Sequence, residues 1–212
     1  MQLTLLSPTT AALAELRDVW EDEIQDAELA LGMDTPDDEE AEEEDDDDDL
    51  LSTVESPDVE ALAAEPFSDD TSEANGSSIA FLLEFEGRRV LFAADAQVGR
   101  LVDALERVSP GKRLKLDLFK ISHHGSKTTT SRELIAKLDC PRYVFSTNGS
   151  IYKHPHGETV SRVIVEGGDN PHLFFNYKGR RNEIWGNQDL QSVHGYATTY
   201  PTGDDPGIEI SL

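Results

Sequence analysis

Asn75-Gly-Ser-Ser-Ile-Ala-Phe-Leu-Leu-Glu-Phe-Glu-Gly-Arg-Arg-Val-Leu-Phe-Ala-Ala-Asp95 is the stretch on which the fold turns. A polar turn over 75–78 leads into the apolar run 79–85, Glu86-Gly87 supplies a tight turn, and 88–94 returns as a second apolar run. Two strand-like runs about a glycine-containing turn predict a β-hairpin, and this one ends on a single carboxylate, Asp95. Downstream, the pattern predicts helices over 97–108, 131–138 and 158–166. It predicts strands over 116–122, 143–147, 173–177 and 183–185, with a further one over 192–200. A hairpin followed by alternating strands and helices implies an α/β fold, with a mixed sheet and helices on one face.

Upstream, Met1-Gln-Leu-Thr-Leu-Leu-Ser-Pro8 alternates as a strand does, and Thr9 or Thr10 can cap a helix over 11–20. Then the pattern dissolves. Carboxylates fill 13 of the 16 positions from Asp34 to Asp49, and no lysine or arginine lies between Asp18 and Gly87. Residues 1–87 hold 29 acidic side chains against Arg17 alone, a formal −28, whereas 88–212 carry +3. Such self-repulsion opposes packing, so 21–74 is expected to be a disordered acidic insertion. It is relieved only by a short helix over 57–64, with Ser56 as cap and Pro57 in its first turn. The expected organisation is therefore a strand and helix over 1–20, the insertion over 21–74, and an ordered body over 75–212. The hydrophobic share of 37% fits a chain of which part stays outside the core.

The lone Cys140 rules out an intrachain disulfide framework and reads as a small core residue, which suits a reducing compartment. No apolar run reaches the roughly 18 residues of a membrane span, and the amino terminus lacks a signal-peptide pattern. The expectation is a soluble, cytoplasmic protein that makes no membrane contact.

Three polar clusters each follow a predicted strand: Asp95, His123-His124-Gly125-Ser126, and Tyr152-Lys153-His154-Pro155-His156. Strand ends of layered α/β folds are where ligands collect, because a rigid strand aims the residue that leaves it. A lone aspartate after a strand is more often a turn or cap residue, and a lone histidine more often a satisfied surface or core residue. Here four of the six histidines fall within 34 residues, in two clusters after two successive strands. Imidazole and carboxylate are ligands for zinc, manganese or iron, and a carboxylate can bridge a two-metal hydrolytic site. Gly125 would allow close backbone approach. His172 and His194 have no such company and read as structural.

The hairpin with Asp95, the run Leu116-Asp-Leu-Phe-Lys-Ile-Ser-His-His-Gly-Ser126 and the run Phe145-Ser-Thr-Asn-Gly-Ser-Ile-Tyr-Lys-His-Pro155 together resemble the second half of a metallo-β-lactamase-fold hydrolase. The subgroup most similar contains the hydrolase domain of the DNA-uptake competence channel ComEC. The likeness runs from about residue 75 to 166. It implies half of a four-layer αββα sandwich. Asp95 resembles the family's bridging metal carboxylate, and His124, with His123 as the alternative, resembles its last metal-ligand histidine. His154 stands near the site, where it can contact substrate or metal, and His123 and His154 are the catalytic candidates. Lys127 and Lys153 are candidates for holding a substrate phosphate.

Two departures are small: Ala94 and Lys153 replace glycines of the pattern. The third is large, because the family's His-x-His-x-Asp-His cluster and a further histidine ligand are absent, and the opening strand resembles the one that begins the second half of that fold. Asp95 and one histidine cannot fill even one tetrahedral site. The resemblance thus implies two divalent ions, zinc first with manganese or iron as alternatives, shared with a partner chain that carries the amino-terminal half. The expected activity is that of a phosphodiesterase or nuclease acting on nucleic acid, with the acidic insertion autoinhibitory. Two other readings stand beside it: a non-catalytic regulatory subunit acting through its acidic segment, and half of an ester or lactone hydrolase.

Overall fold

Seven strands hydrogen-bond into one mixed sheet in the computed structural model, which describes residues 1–32, 56–203 and 207–212. They are β1 (Gln2–Ser7), β2 (Ala80–Phe85), β3 (Arg88–Phe92), β5 (Leu118–Lys120), β7 (Arg142–Phe145), β8 (His172–Phe175) and β9 (Ala197–Thr199), in that spatial order. A small second sheet pairs β4 (Leu114–Lys115) with β6 (Leu138–Asp139). The β1–β2 and β2–β3 pairs are antiparallel, and every pair from β3 to β9 is parallel. The Glu86-Gly87 turn closes the hairpin with Phe85 opposite Arg88, and both turn residues have the positive φ such a turn requires.

Helices α4 (Val98–Val108), α5 (Arg132–Ala136) and α6 (Gly157–Glu166) supply the cover for one sheet face. Their apolar stripes, including Leu101, Leu105, Leu134, Ile135, Val160 and Val163, join a single core with Leu82, Leu91, Phe119, Tyr143 and Leu173 from the strands. Cys140 belongs to this core, and burial pushes its thiol up to about 12. The registers place Leu3, Leu5, Phe81, Leu83, Val90, Phe92, Leu118, Val144 and Phe174 on the opposite face, and none of them joins that core. Along β1 that face is open, with Leu3 58% and Leu5 62% exposed. The segment 207–212 gives partial cover. The Gly207 N–H donates to the Asn176 carbonyl, and Leu212 shares a cleft of about 490 Å³ with Leu83, Phe85 and Val90.

The expectation of disorder over 21–74 is corrected at both of its ends. Helix α1 (Thr10–Gly32) runs past Trp20, through a stretch rich in Glu, Ala and Leu that favours helix, to a glycine. Residues 33–55, with most of the carboxylate run, lie outside the described residues. From Pro57, which is buried, the chain is ordered through the described segment to 203. Helix α2 (Val59–Ala64) is capped by Asp58, not Ser56, through a 3.0 Å bond from the Ala61 N–H, so Pro57 lies before the helix. Val59 and Ala63 are buried, and α2 packs on α6. A four-residue helix, α3 (Glu73–Gly76), capped by Ser72, enters the hairpin. Two other expectations are corrected. Residues 183–185 fall in the 3-10 turn Glu183–Gly186, not a strand. Within 192–200, helix α7 (Gln188–His194) continues to His194 before Gly195 ends it in the left-handed region, leaving only β9 extended.

Candidate functional site

Because β3, β5, β7 and β8 are parallel, their carboxyl ends share one edge of the sheet. The loops carrying Asp95, His123-His124 and His154–His156 all leave from that edge. Backbone bonds tie these loops together: the His123 N–H donates to the Ala94 carbonyl at 2.8 Å, and the His156 N–H to the Gly125 carbonyl at 3.1 Å. Gly125 has φ +93°, and a Cβ there would lie 2.7 Å from Pro155 Cβ, so only glycine lets the two histidine loops meet. Buried Arg162 of α6 locks the arrangement from below by donating to the carbonyls of Lys127, Thr130 and Glu65.

Four imidazoles cluster as a result. The His154 ring lies 5.3 Å from that of His123, 6.4 Å from His124 and 4.8 Å from His156. His124 Nδ1 lies 2.6 Å from the Ser146 carbonyl, which can only accept, so the proton sits on Nδ1 and the Nε2 lone pair is left for a ligand. His154 is buried, and that burial, reinforced by His156, His123, His124 and Arg181, lowers its pKa to about 3. His156 is lowered too, by burial first, and its Nδ1 accepts the Lys127 N–H.

His123 and His124 both occupy the left-handed region, φ 42° and 55°, an uncommon backbone for non-glycine residues and one concentrated at functional sites. Ala94 (φ 48°) and Lys153 (φ 55°) share it. The two positions where alanine and lysine replace a glycine of the motif pattern are thus positions whose backbone favours glycine. Asp95 is half-buried and makes no hydrogen bond among the described residues. Lys120, beside it, is lowered by burial against the opposing pull of the Asp95 charge, and donates to the Ile121 carbonyl.

Lys127 does not stand ready for a phosphate: its ammonium pairs with Glu158 at 3.0 Å. Lys153 adjoins His154 in the loop and is half-buried. His172 lies apart on β8, bonded to Thr199 and stacked on Phe174.

Asp70 was hidden by the composition of the acidic segment. Its carboxylate accepts from the Ser72 N–H (2.9 Å), the Ser72 hydroxyl (2.8 Å) and the Asn75 amide (2.8 Å), and its Oδ2 lies 3.8 Å from His123 Nδ1. That nitrogen is buried and has no hydrogen-bond partner among the described residues. Burial acts to raise the Asp70 pKa, but the Ser72 backbone, Asn75, the Ser72 hydroxyl and His123 outweigh it and hold the carboxyl below its usual value. The local signal was Asp70-Thr71-Ser72, an aspartate positioned to accept from the N–H two residues on.

Among the described residues no three His, Cys, Asp or Glu side chains are grouped so as to enclose one metal ion. The donors present, imidazole nitrogen and carboxylate oxygen, are of the kinds that hold zinc, but they stop short of the four that a tetrahedral site takes. Beside the cluster a groove of about 360 Å³ is lined by His124, Asn148, Tyr152, His154, Asn176 and Tyr177, among others.

The chain is similar to ComE operon protein 3 of Bacillus subtilis, with 25% identity over 130 residues. The similarity takes in 58% of this chain and 16% of that protein, so the chain spans a small part of its relative's length. No family model and no solved structure matches. Among the described residues no helix is long and apolar enough to cross a membrane.

Proposed function

We propose that this chain is the carboxy-terminal part of a metallo-β-lactamase-type, metal-dependent phosphodiesterase or nuclease. Its ligand set is completed by a partner chain bearing the His-x-His-x-Asp-His half. The observation that carries this reading is the preparation of two donors at one sheet edge: His124, its Nδ1 pinned by Ser146, and Asp95, whose carboxylate no hydrogen bond occupies among the described residues. The similarity to ComE operon protein 3 supports it, beside the resemblance of the motif pattern to the ComEC hydrolase domain. The open side of the sheet, with Leu3 and Leu5 exposed, offers the surface on which a second sheet packs.

Asp95 and His124 would hold the metal. The group expected is a pair of divalent ions, zinc before manganese or iron, and when bound it supplies activated water and stabilises charge on the phosphoryl oxygens. His123, whose Nδ1 lies 3.8 Å from the anchored Asp70 carboxylate, is the candidate for the general base. His154 stays neutral down to about pH 3 and serves as a hydrogen-bonding group toward substrate. The autoinhibitory role of the acidic run rests on its charge alone. Its test is deletion confined to 34–55, because residues from 56 onward hold α2 and Asp70 in place.

The deciding experiment is metal analysis and phosphodiester hydrolysis by this chain purified with its partner, beside the Asp95→Ala and His124→Ala variants. Both variants are expected to assemble, to lose bound metal and to lose at least about a hundredfold in turnover. Full metal content and turnover in either variant removes the assignment. An assembled native complex without metal favours the non-catalytic subunit, and turnover of esters or lactones in place of nucleic acid favours the ester hydrolase.

A further inference from the structure

The groove beside the histidine cluster has a chemistry of its own. Tyr152 stands at its rim 71% exposed, one side of the ring toward His154 at 6.1 Å, and Tyr177 lines the same groove at 37% exposure. Two large aromatic rings left in solvent by a chain that buries Tyr143 and Tyr196 call for an occupant with a flat apolar surface.

The polar lining is one-sided. Asn176 commits its Oδ1 to the Thr147 N–H at 2.7 Å, and Asn148 commits its Oδ1 to the Ser150 N–H and hydroxyl at 3.1 and 2.9 Å. Because those backbone N–H groups can only donate, the amide orientations are fixed, and each Nδ2 is left without a partner among the described residues. The groove therefore offers two amide donors beside aromatic faces. A planar heterocycle with carbonyl or ring-nitrogen acceptors satisfies both.

We propose that this groove is a base-binding subsite, taking the unpaired nucleobase next to the phosphate that lies at His124 and His154. This deepens the nuclease reading and rests on it. Bases stacked inside a duplex cannot present a face to Tyr152, so the subsite selects single-stranded substrate.

The test is equilibrium binding, by fluorescence anisotropy in the presence of a chelator, of labelled oligothymidylate, an abasic strand of equal length, and a duplex. The protein is the soluble chain, assembled with its partner where solubility requires it. Oligothymidylate is expected to bind more tightly than the abasic strand by about five- to a hundredfold. Tyr152→Ala should erase that preference while leaving abasic binding unchanged, and Tyr152→Phe should retain it. Tyr152 is exposed, so neither variant threatens the fold. Equal affinity for the two strands, or a preference indifferent to Tyr152→Ala, overturns the subsite and leaves the hydrolase reading intact. Base-dependent binding in a complex that hydrolyses no phosphodiester upholds the subsite and removes the hydrolase. Absence of binding to any of the three overturns the subsite and the nucleic-acid substrate together.

Discussion

The two faces of the sheet are made of the same kinds of residue, but one is covered throughout and the other is covered over its middle strands and open along β1. Leu82, Leu91, Phe119 and Leu173 on the helix side are no more than 1% exposed, whereas Leu3 and Leu5 on the other side stand 58% and 62% exposed, with Phe85, next on that face, at 52%. The parallel strands read as near-continuous apolar runs, Val90-Leu91-Phe92 and Leu173-Phe174-Phe175, the pattern of strands covered on both sides. Cover on the second side is uneven: Phe174, Leu118 and Val90 are no more than 8% exposed, and the open part is confined to β1 and the end of the hairpin at Phe85. Strand formation is satisfied by local pattern, but burial is decided by what packs on top.

The sharpest way to break this contrast is to cut equally into both faces. Leu91→Ala on the covered side is expected to cost about 3 kcal/mol or more, as a deletion in a fully packed core does. Leu5→Ser on the open side is expected to change stability by no more than about 0.5 kcal/mol. The Leu3→Ser, Leu5→Ser pair should raise the soluble yield of the chain expressed alone and abolish capture of a sheet-bearing partner. Urea unfolding and co-purification measure the two effects. Comparable losses of stability from Leu91→Ala and Leu5→Ser would erase the distinction between the faces.

Acid sharpens the comparison from the covered side, where Gly125 and Pro155 meet at Phe145 and carry His154 into burial. The folded protein keeps His154 neutral down to about pH 3, while the unfolded chain protonates it near the ordinary 6.5. The unfolded state then binds the extra proton, so stability is full above about pH 6.5 and falls as the pH drops toward 3. Burial depresses His156 in the same direction. Urea midpoints at successive pH values should decline less steeply in His154→Gln than in the parent. Parallel declines would trace the acid sensitivity to other groups.

The smallest effect expected lies in the loops between the faces. Ala94 and Lys153 hold left-handed backbone at φ 48° and 55°. Ala94→Gly and Lys153→Gly are each expected to stabilise by at most about 1 kcal/mol, relief of side-chain strain being offset by the greater freedom of glycine when unfolded. Thermal unfolding of each variant checks this, and a lowered midpoint in both would mean that these turns carry no strain.

Much of the fold was legible because its signals are short-range. Two apolar runs and the Glu86-Gly87 turn marked the hairpin, and the apolar spacing marked α4 and α6. The failures share a cause. Glu183-Ile184-Trp185 and 192–200 were read from residue type alone, but Asn187 caps α7 through the Asp189 and Leu190 N–H groups, and Trp185 is buried by the fold around it. The acidic composition around Asp70 masked an ordered segment, because net charge averages over residues that pack and residues that do not.

By itself the sequence determined the elements whose causes lie within a few residues: strands, turns, helix stripes, and two histidine clusters placed at strand ends. Tertiary structure alone decided which sheet face is covered and that Asp70 meets His123 across 53 positions of chain. It also decided that Lys127 is spent on Glu158 and that Ser146 fixes the tautomer of His124. Backbone propensity and hydrophobic period act over a turn or a strand and leave a trace in local order. Ion pairs, proton positions and burial depend on distances between segments remote in sequence, and those exist only once the sheet has brought its strand ends together.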